Sequence, residues 1–146
     1  MALTAAGLAA GPAAPAALPD TPEDRVAVRL KMSFNGHEAV IGMYDNPAAE
    51  QVLALLPAQF SFSDFAGEEK IARFARPLDL SGAPGGLIAR SGRVFIYRPW
   101  GNLGIFYRDH GSTPDQSLIP LGEVQSGLDF IRSQAEDFNA RLEIIE

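Results

Sequence analysis

The residues of this sequence that are best suited to do chemistry are aromatic side chains close to a few polar ones. The aromatic members are Phe60, Phe62, Phe65, Tyr97, Trp100, Phe106 and Tyr107, and the polar members are Lys70, Arg98, Asn102 and Arg108. Rings supply contact area in a small-ligand or peptide pocket, while polar atoms fix the orientation of the ligand. The cluster predicts a binding site, although Phe60, Phe62 and Phe106 are also typical of an ordinary strand core.

Trp100 is the strongest candidate in this cluster. It is the only tryptophan and falls within Pro99-Trp100-Gly101-Asn102, a pattern that favours a type II turn with glycine at the third position. Because a hairpin turn normally faces solvent, a large ring there either covers a barrel mouth or contacts a partner. We expect Trp100 at a barrel opening beside Arg98 and Tyr107. The complete predicted binding set is Trp100, Tyr107, Arg98, Asn102, Lys70 and Tyr97, with Lys70 placed to meet an anionic ligand.

Other motifs do not predict catalysis, a metal site or a cofactor. The two histidines, His37 and His110, are interpreted as a turn residue and a solvated loop residue rather than as metal ligands. Asp109, His110 and Ser112 have triad residue types, but residues so close in one loop rarely reach hydrogen-bond geometry, and no Gly-x-Ser-x-Gly motif is present. The glycine-rich stretch 81–86 lacks the Gly-Lys-Ser/Thr ending of a phosphate-binding loop. Glu68-Glu69-Lys70 is interpreted as a solvated turn rather than an acid/base pair.

The first elements of the chain are predicted to be a hairpin. Apolar residues occupy every second position at Val26, Val28, Leu30, Met32 and Phe34. This two-residue period indicates a strand with one solvated face, and Asn35-Gly36 favours a type I′ turn before a second strand from 37 to 44. A two-residue turn gives three apolar pairs across the hairpin, Met32 with Ala39, Leu30 with Ile41 and Val28 with Met43.

The rest of the chain predicts short strands and two short helices. Asp45-Asn46-Pro47 indicates a capped helix start, Pro57 ends that helix, and Ser126 with Asp129 indicates a second start, for a helix carrying Leu128, Ile131 and Ala135. Strands are predicted around Phe60 and Phe62 and over 70–78, 93–99, 102–109, 118–124 and 141–146. This pattern favours a mainly β fold, a closed antiparallel barrel, over a doubly wound α/β fold.

Composition limits the partners and the location. The chain has 146 residues, a net charge of −6 and no cysteine, which argues against nucleic acid as a partner and excludes thiol chemistry. No segment has the length of apolar sequence that a membrane span needs. Residues 1–22 are rich in alanine and proline and predict a disordered tail, leaving 23–146 as the folded domain. We expect a cytoplasmic protein, with a secreted or periplasmic one as the alternative if the alanine-rich start is a degenerate signal.

Three stretches resemble the bacterial cyclophilin-like family, whose members mostly lack an assigned function. They run from Tyr44-Asp45-Asn46-Pro47-Ala48-Ala49 to Leu55-Leu56-Pro57, from Ser63-Asp64-Phe65 to Glu69-Lys70-Ile71, and from Pro99-Trp100-Gly101-Asn102 to Phe106-Tyr107. The resemblance covers about Arg25 to the C-terminal strand and implies an eight-stranded closed barrel with helices at its ends. The glutamine–glycine–glycine–aspartate and glycine–serine–glutamine–phenylalanine–phenylalanine blocks of true cyclophilin isomerases are absent, so no catalytic residue is carried over.

Two functions remain open at this point. The first is a noncatalytic module that binds a small molecule or an extended peptide at the aromatic mouth of the barrel. The second is a divergent peptidyl-prolyl isomerase, in which Arg73, Arg98 or Arg108 polarises the amide beside a hydrophobic proline pocket.

Overall fold

The predicted first hairpin is confirmed in both its turn and its register. In the computed structural model, which describes residues 25–145, strand β1 spans Val26–Phe34 and β2 spans His37–Tyr44. Asn35 and Gly36 have φ values of 48° and 80°, the positive pair that defines a type I′ turn. The three predicted apolar pairs face each other across the hairpin. The predicted tail over 1–22 lies outside the described residues.

The first helix, α1, spans Pro47–Leu53 and begins as predicted. The side chain of Asn46 accepts a hydrogen bond of 2.8 Å from the Ala49 N–H, which satisfies one of the free donors of the first turn. The same buried side chain donates 3.0 Å to the carbonyl of Pro120. One capping residue therefore both starts α1 and ties it to the wall of the barrel.

The next two strands are β3, Ala58–Phe65, and β4, Glu69–Ala72. The predicted strand over 70–78 is wrong in its length. β4 pairs with its neighbours only as far as Ala72, and the chain then leaves the sheet. The Gln51 side chain exchanges two hydrogen bonds with the backbone of Asp79, so this segment packs beside α1 instead of extending the strand.

The remaining elements complete the chain to Ile144. They are β5 Leu87–Ile88, β6 Arg93–Tyr97, β7 Asn102–Phe106, β8 Pro114–Asp115, β9 Leu118–Ser126, α2 Leu128–Arg132 and β10 Phe138–Ile144. The capping box predicted for α2 is wrong, because Ser126 ends β9 and Gly127 is the N-cap, without a side-chain hydrogen bond. Gly127 has a φ of 88°, and a Cβ there would lie 2.7 Å from the Cα of Ala39. Ala135 lies beyond the helix, and the last strand begins earlier than predicted.

The described residues form a closed eight-stranded antiparallel barrel. Its order is β9-β2-β1-β10-β3-β4-β7-β6, and β6 pairs with β9 to close it, while β5 and β8 form a separate two-stranded sheet. Inward-facing apolar side chains fill the barrel, and the free space found among Leu30, Val52, Leu142 and their neighbours is about 10 Å³. The interior is therefore too full for a ligand, and a binding site has to lie outside it.

Candidate functional site

The candidate site lies on the outer face of four neighbouring strands, β3, β4, β7 and β6. Successive side chains of a strand point alternately into the barrel and away from it, and directly paired residues share a face. The register places Glu69 between Phe65 and Phe106 and places Tyr97 opposite Asn102. We use the name outer wall for the surface formed by Phe65, Glu69, Ile71, Phe95, Tyr97, Trp100, Asn102 and Phe106.

Trp100 lies in the loop of the β6–β7 hairpin and is 62% exposed. The carbonyl of Tyr97 accepts hydrogen bonds from the N–H groups of Trp100 and Gly101, at 3.2 and 2.7 Å. Gly101 has the positive φ that the sequence predicts, 68°. The loop is not closed by the predicted turn over 99–102, however, because the accepting carbonyl belongs to Tyr97 and not to Pro99. The indole contacts two rings edge to face, Tyr97 at 5.2 Å and Phe65 at 5.6 Å between centroids. It therefore lies against the outer wall without being covered.

A second, smaller core covers part of the outer wall. Phe95 and Phe106 stack at 4.4 Å and pack with Leu87, Ala89 and Leu118 beneath the two-stranded sheet. Gly104 makes this possible, because a Cβ at that position would lie 2.2 Å from the ring of Phe95. Phe106, which the sequence left open between core and site, is buried in this outer core, whereas Phe60 and Phe62 belong to the barrel interior.

Two cavities meet at the uncovered part of the outer wall. The open groove has a volume of about 1110 Å³ and is lined by β3, β4 and the start of β10, with Gln59, Ser61, Arg73 and Asn139 among its polar residues. The aromatic pocket has a volume of about 300 Å³ and is lined by Phe65, Glu69, Ile71, Phe95, Tyr97, Trp100, Asn102, Phe106, His110, Asp115, Ser117 and Leu118. Ile71, Trp100 and Asn102 line both cavities and form the ridge between them.

Asn102 carries a polar atom without a protein partner on this ridge. The residue is 6% exposed, and its Nδ2 donates 3.1 Å to the carbonyl of Leu103. Its Oδ1 is buried and accepts no hydrogen bond from the described residues. A buried acceptor that is left unpaired costs about 1–3 kcal/mol, so a ligand donor that reaches this atom would recover part of that free energy.

Glu69 supplies a titratable group to the aromatic pocket. Burial raises the pKa of its carboxyl to about 7, with His110 opposing the shift and the charges of Glu68 and Asp64 adding to it. The sequence interpretation of Glu68-Glu69-Lys70 as a solvated turn is therefore wrong for Glu69, which is half-buried in a strand between two phenylalanines. His110 forms an ion pair with Glu68 and stacks on Phe106 at 6.1 Å, so it is held against the wall.

The structure brings together three of the six predicted site residues. Trp100, Tyr97 and Asn102 line the aromatic pocket. Arg98 lies next to them, but its guanidinium donates to the carbonyls of Leu80 and Ala83. It therefore fixes a neighbouring loop and is not aimed at either cavity.

Lys70 and Tyr107 lie apart from that group, at the other end of β7. Lys70 points into the barrel, 2% exposed, where its Nζ donates 2.6 Å to the carbonyl of Gln134 and lies 3.3 Å from the carboxylate of Asp64. The Tyr107 hydroxyl donates to the same carboxylate. Burial and Asp64 raise the pKa of Tyr107 to about 12. Burial opposes ionisation of Asp64, but hydrogen bonds from Tyr107, Gly67 and Lys70 outweigh it and lower its pKa. This cluster fastens the end of the barrel.

The residues with triad chemistry do not assemble. Asp109 accepts a hydrogen bond from the N–H of Ser91, while His110 is paired with Glu68. His37 stacks on Phe130 at 4.3 Å. Over residues 25–145, no group of three or more His, Asp or Glu side chains is arranged to hold a metal ion.

Sequence reasoning missed Glu69 and gave little weight to Phe65. The signal for both was present in the pairing of two adjacent strands, because Phe65 and Glu69 face each other across the β3–β4 hairpin. Finding it requires the register of that hairpin, and its Ala66-Gly67 turn does not set the register as clearly as Asn35-Gly36 does.

The fold and the site define a closed antiparallel barrel with a ligand-sized surface on its outer wall. The chain belongs to the cyclophilin-like family, whose model matches residues 32–143. It is similar in structure to a hypothetical protein from Archaeoglobus fulgidus, solved in solution, with a TM-score of 0.63 and 15% sequence identity over 84% of this chain and 98% of the other. At that identity the likeness concerns the fold alone. The search of curated proteins finds no match.

The described helices are too short or too polar to cross a membrane.

Proposed function

We propose that this protein is a noncatalytic binding module that takes a small molecule or an extended peptide on its outer wall, at the two cavities on either side of Trp100. One observation carries the proposal. The indole of Trp100 is largely exposed, yet it is held edge to face between Tyr97 and Phe65 at the meeting point of a groove and a pocket. Tryptophan and tyrosine in such positions dominate the binding energy of many interfaces.

The exposed rings form a patch and are not scattered singly. Phe65 is 42% exposed and shares the aromatic pocket with Trp100 and Ile71. Neighbouring exposed apolar side chains mark interaction surfaces more often than isolated ones do. Packing within the barrel does not account for the patch, because its members lie outside a filled interior.

The open groove suits an extended chain bound through its side chains. Its volume of about 1110 Å³ exceeds that of most small-molecule pockets. Each of the eight barrel strands among the described residues pairs with two neighbours, and the stretch of β3 from Ala58 to Ser61 lacks a partner on the β4 side. That edge is short, so side-chain contacts rather than an added strand would hold most of a peptide. Polar side chains along the groove, such as Gln59, Ser61 and Asn139, would instead orient it.

A divergent peptidyl-prolyl isomerase is the second candidate, and Arg73 is the observation that favours it. Arg73 lines the open groove together with Trp100, and no hydrogen bond or ion pair to it is found within residues 25–145. A guanidinium beside an apolar surface can polarise a prolyl amide. Arg98 is committed to a loop, and Arg108 lines neither cavity.

Trp100 emission tests the binding proposal directly. The full chain is titrated with a panel of small fragments and of tetrapeptides with and without proline. We expect at least one ligand to shift or quench the emission saturably, because Trp100 is the chain's single tryptophan.

Two variants control for binding elsewhere. Calorimetry with the same ligand should show weaker binding to Trp100→Leu and unchanged binding to Phe130→Leu, which removes another exposed ring, 43% exposed, from α2. A panel without any saturable response, or equal affinity of the two variants, would contradict the proposal.

An isomerase assay on a proline tetrapeptide separates the two candidates. The binding module predicts no acceleration of cis/trans exchange. Acceleration that is lost in Arg73→Gln would establish the second candidate instead.

A further inference from the structure

The aromatic pocket is lined by rings whose planes lie at different orientations. The ring of Trp100 makes an interplanar angle of 89° with Tyr97 and 85° with Phe65, and Phe95 and Phe106 also line the pocket. Each ring carries negative electrostatic potential on its faces and positive potential on its edges. Trp100 and Phe65 are 62% and 42% exposed, so ring surface beyond these edge-to-face contacts is available to a cationic guest in the pocket.

The polar groups of the pocket also favour a guest with positive charge. Its acidic lining residues are Glu69 and Asp115, and the described lining includes neither lysine nor arginine. His110 is engaged with Glu68. The Oδ1 of Asn102, more than nine-tenths buried, is an acceptor without a partner. Two carboxyl groups and a free acceptor favour a guest that is positively charged or rich in donors.

We propose that the aromatic pocket binds an organic ammonium cation, with the rings of Trp100, Tyr97 and Phe65 around the cation and the carboxylate of Glu69 beside it. This inference rests on the proposed function, because it names the ligand class for one part of the same outer wall. The pocket volume of about 300 Å³ is at the lower end for ligand sites and suits a compact headgroup.

Binding of a cation here is coupled to the protonation of Glu69. Burial raises the pKa of this carboxyl to about 7. A cation beside it favours the ionised form, so binding should release a proton and strengthen as pH rises from 6 to 8. The other titratable groups that face Glu69 are His110, Glu68, Asp64 and Asp115.

Calorimetry with choline and its uncharged isostere 3,3-dimethylbutan-1-ol tests the inference on the full chain at constant ionic strength. The two probes have the same shape around the central atom and differ in charge. At pH 8 we expect choline to bind at least about tenfold more tightly than the uncharged alcohol. A factor of that size is in the range of a partly desolvated cation–π interaction.

Three variants localise the site. Glu69→Gln and Trp100→Leu should each weaken choline binding by about tenfold. Glu69→Gln should also remove the dependence of affinity on pH. Glu50→Gln, which changes an exposed acid on α1, should leave both the affinity for choline and its dependence on pH unchanged.

The outcomes separate this inference from the proposed function. Equal binding of choline and the alcohol would show an apolar pocket, which overturns the cation inference and leaves the binding module intact. If Glu69→Gln and Trp100→Leu do not affect choline binding, choline binds elsewhere, which also overturns the cation inference. A lack of choline binding at millimolar concentration overturns the cation inference as well. The proposed function fails on its own tests, which are a silent Trp100 emission panel or equal ligand affinity of Trp100→Leu and Phe130→Leu.

Discussion

Glu69 and Asn102 are polar residues that lie in partly or fully buried surroundings, although residues of these types are usually exposed. Glu69 lies between Phe65 and Phe106 on the outer wall, so its charge is formed at a cost. Asn102 keeps a buried acceptor without a protein partner. Both residues line the aromatic pocket together with Trp100, so these two costly polar groups lie where exposed aromatic rings also lie.

The raised pKa of Glu69 predicts a pH-dependent stability difference. The folded-state pKa is about 7 against an ordinary value of 4.5, so the protonated carboxyl is favoured by folding. The contribution of this carboxyl to the free energy of unfolding is complete below pH 4.5 and is lost as pH rises through 7. Glu69→Gln should therefore be about 1 kcal/mol more stable than the native chain at pH 8, after allowance for solvent screening.

Urea unfolding at pH 4.5 and pH 8 checks this difference. The two proteins should have similar midpoints at the lower pH and should diverge at the higher one. A difference that is the same at both values would show that the carboxyl of Glu69 is not the cause.

The β1–β2 turn predicts a cost for a single substitution. Gly36 has a φ of 80° and no atom within 4 Å of an added Cβ, so Gly36→Val is opposed by backbone conformation and not by crowding. We expect a loss of about 1–2 kcal/mol in the free energy of unfolding. Gly111→Val is the matched control, because Gly111 also lies in open space but lacks a positive φ. Equal effects of the two substitutions would contradict the type I′ assignment.

The outer core predicts a different kind of sensitivity. A Cβ at Gly104 would lie 2.2 Å from the ring of Phe95, so Gly104→Ala should destabilise the protein by about 2 kcal/mol through overpacking. Adding Phe95→Leu shortens the side chain that causes the clash. The double variant should therefore lose less than the sum of the two single losses, and strict additivity would show that the two sites are independent.

The elements differ in how far the sequence predicted them, because some are determined locally and others are not. The β1–β2 hairpin was predicted with its register, since the alternation and Asn35-Gly36 act within adjacent residues. The end of β4 was not predicted, because it depends on pairing with β7, which is distant in the chain. The outward position of Glu69 beside Phe106 depends on the same pairing. Of the residues in the candidate site, Trp100 could therefore be singled out from its local turn sequence, whereas Glu69 could not.

At the scale of the whole molecule, the barrel closes through strands that run from Val26 to Ile144. We therefore expect deletion of residues 1–22 to shift the thermal midpoint by less than about 2 °C. Differential scanning calorimetry of the shortened and full chains measures this, and a large drop would mean that the deleted segment contributes to the packing of the barrel.

Because the interior is filled and part of the outer wall is uncovered, we expect function to lie on the outside of this barrel. Amide and side-chain shift mapping of the isotope-labelled full chain, with choline and with a proline tetrapeptide, tests that claim most directly. The predicted result is that perturbations centre on the Trp100 indole N–H, the Asn102 carboxamide, Ile71 and Phe65. Perturbations confined to the β1–β2 turn and α2, around His37 and Phe130, or a spectrum unchanged by both ligands, would contradict it.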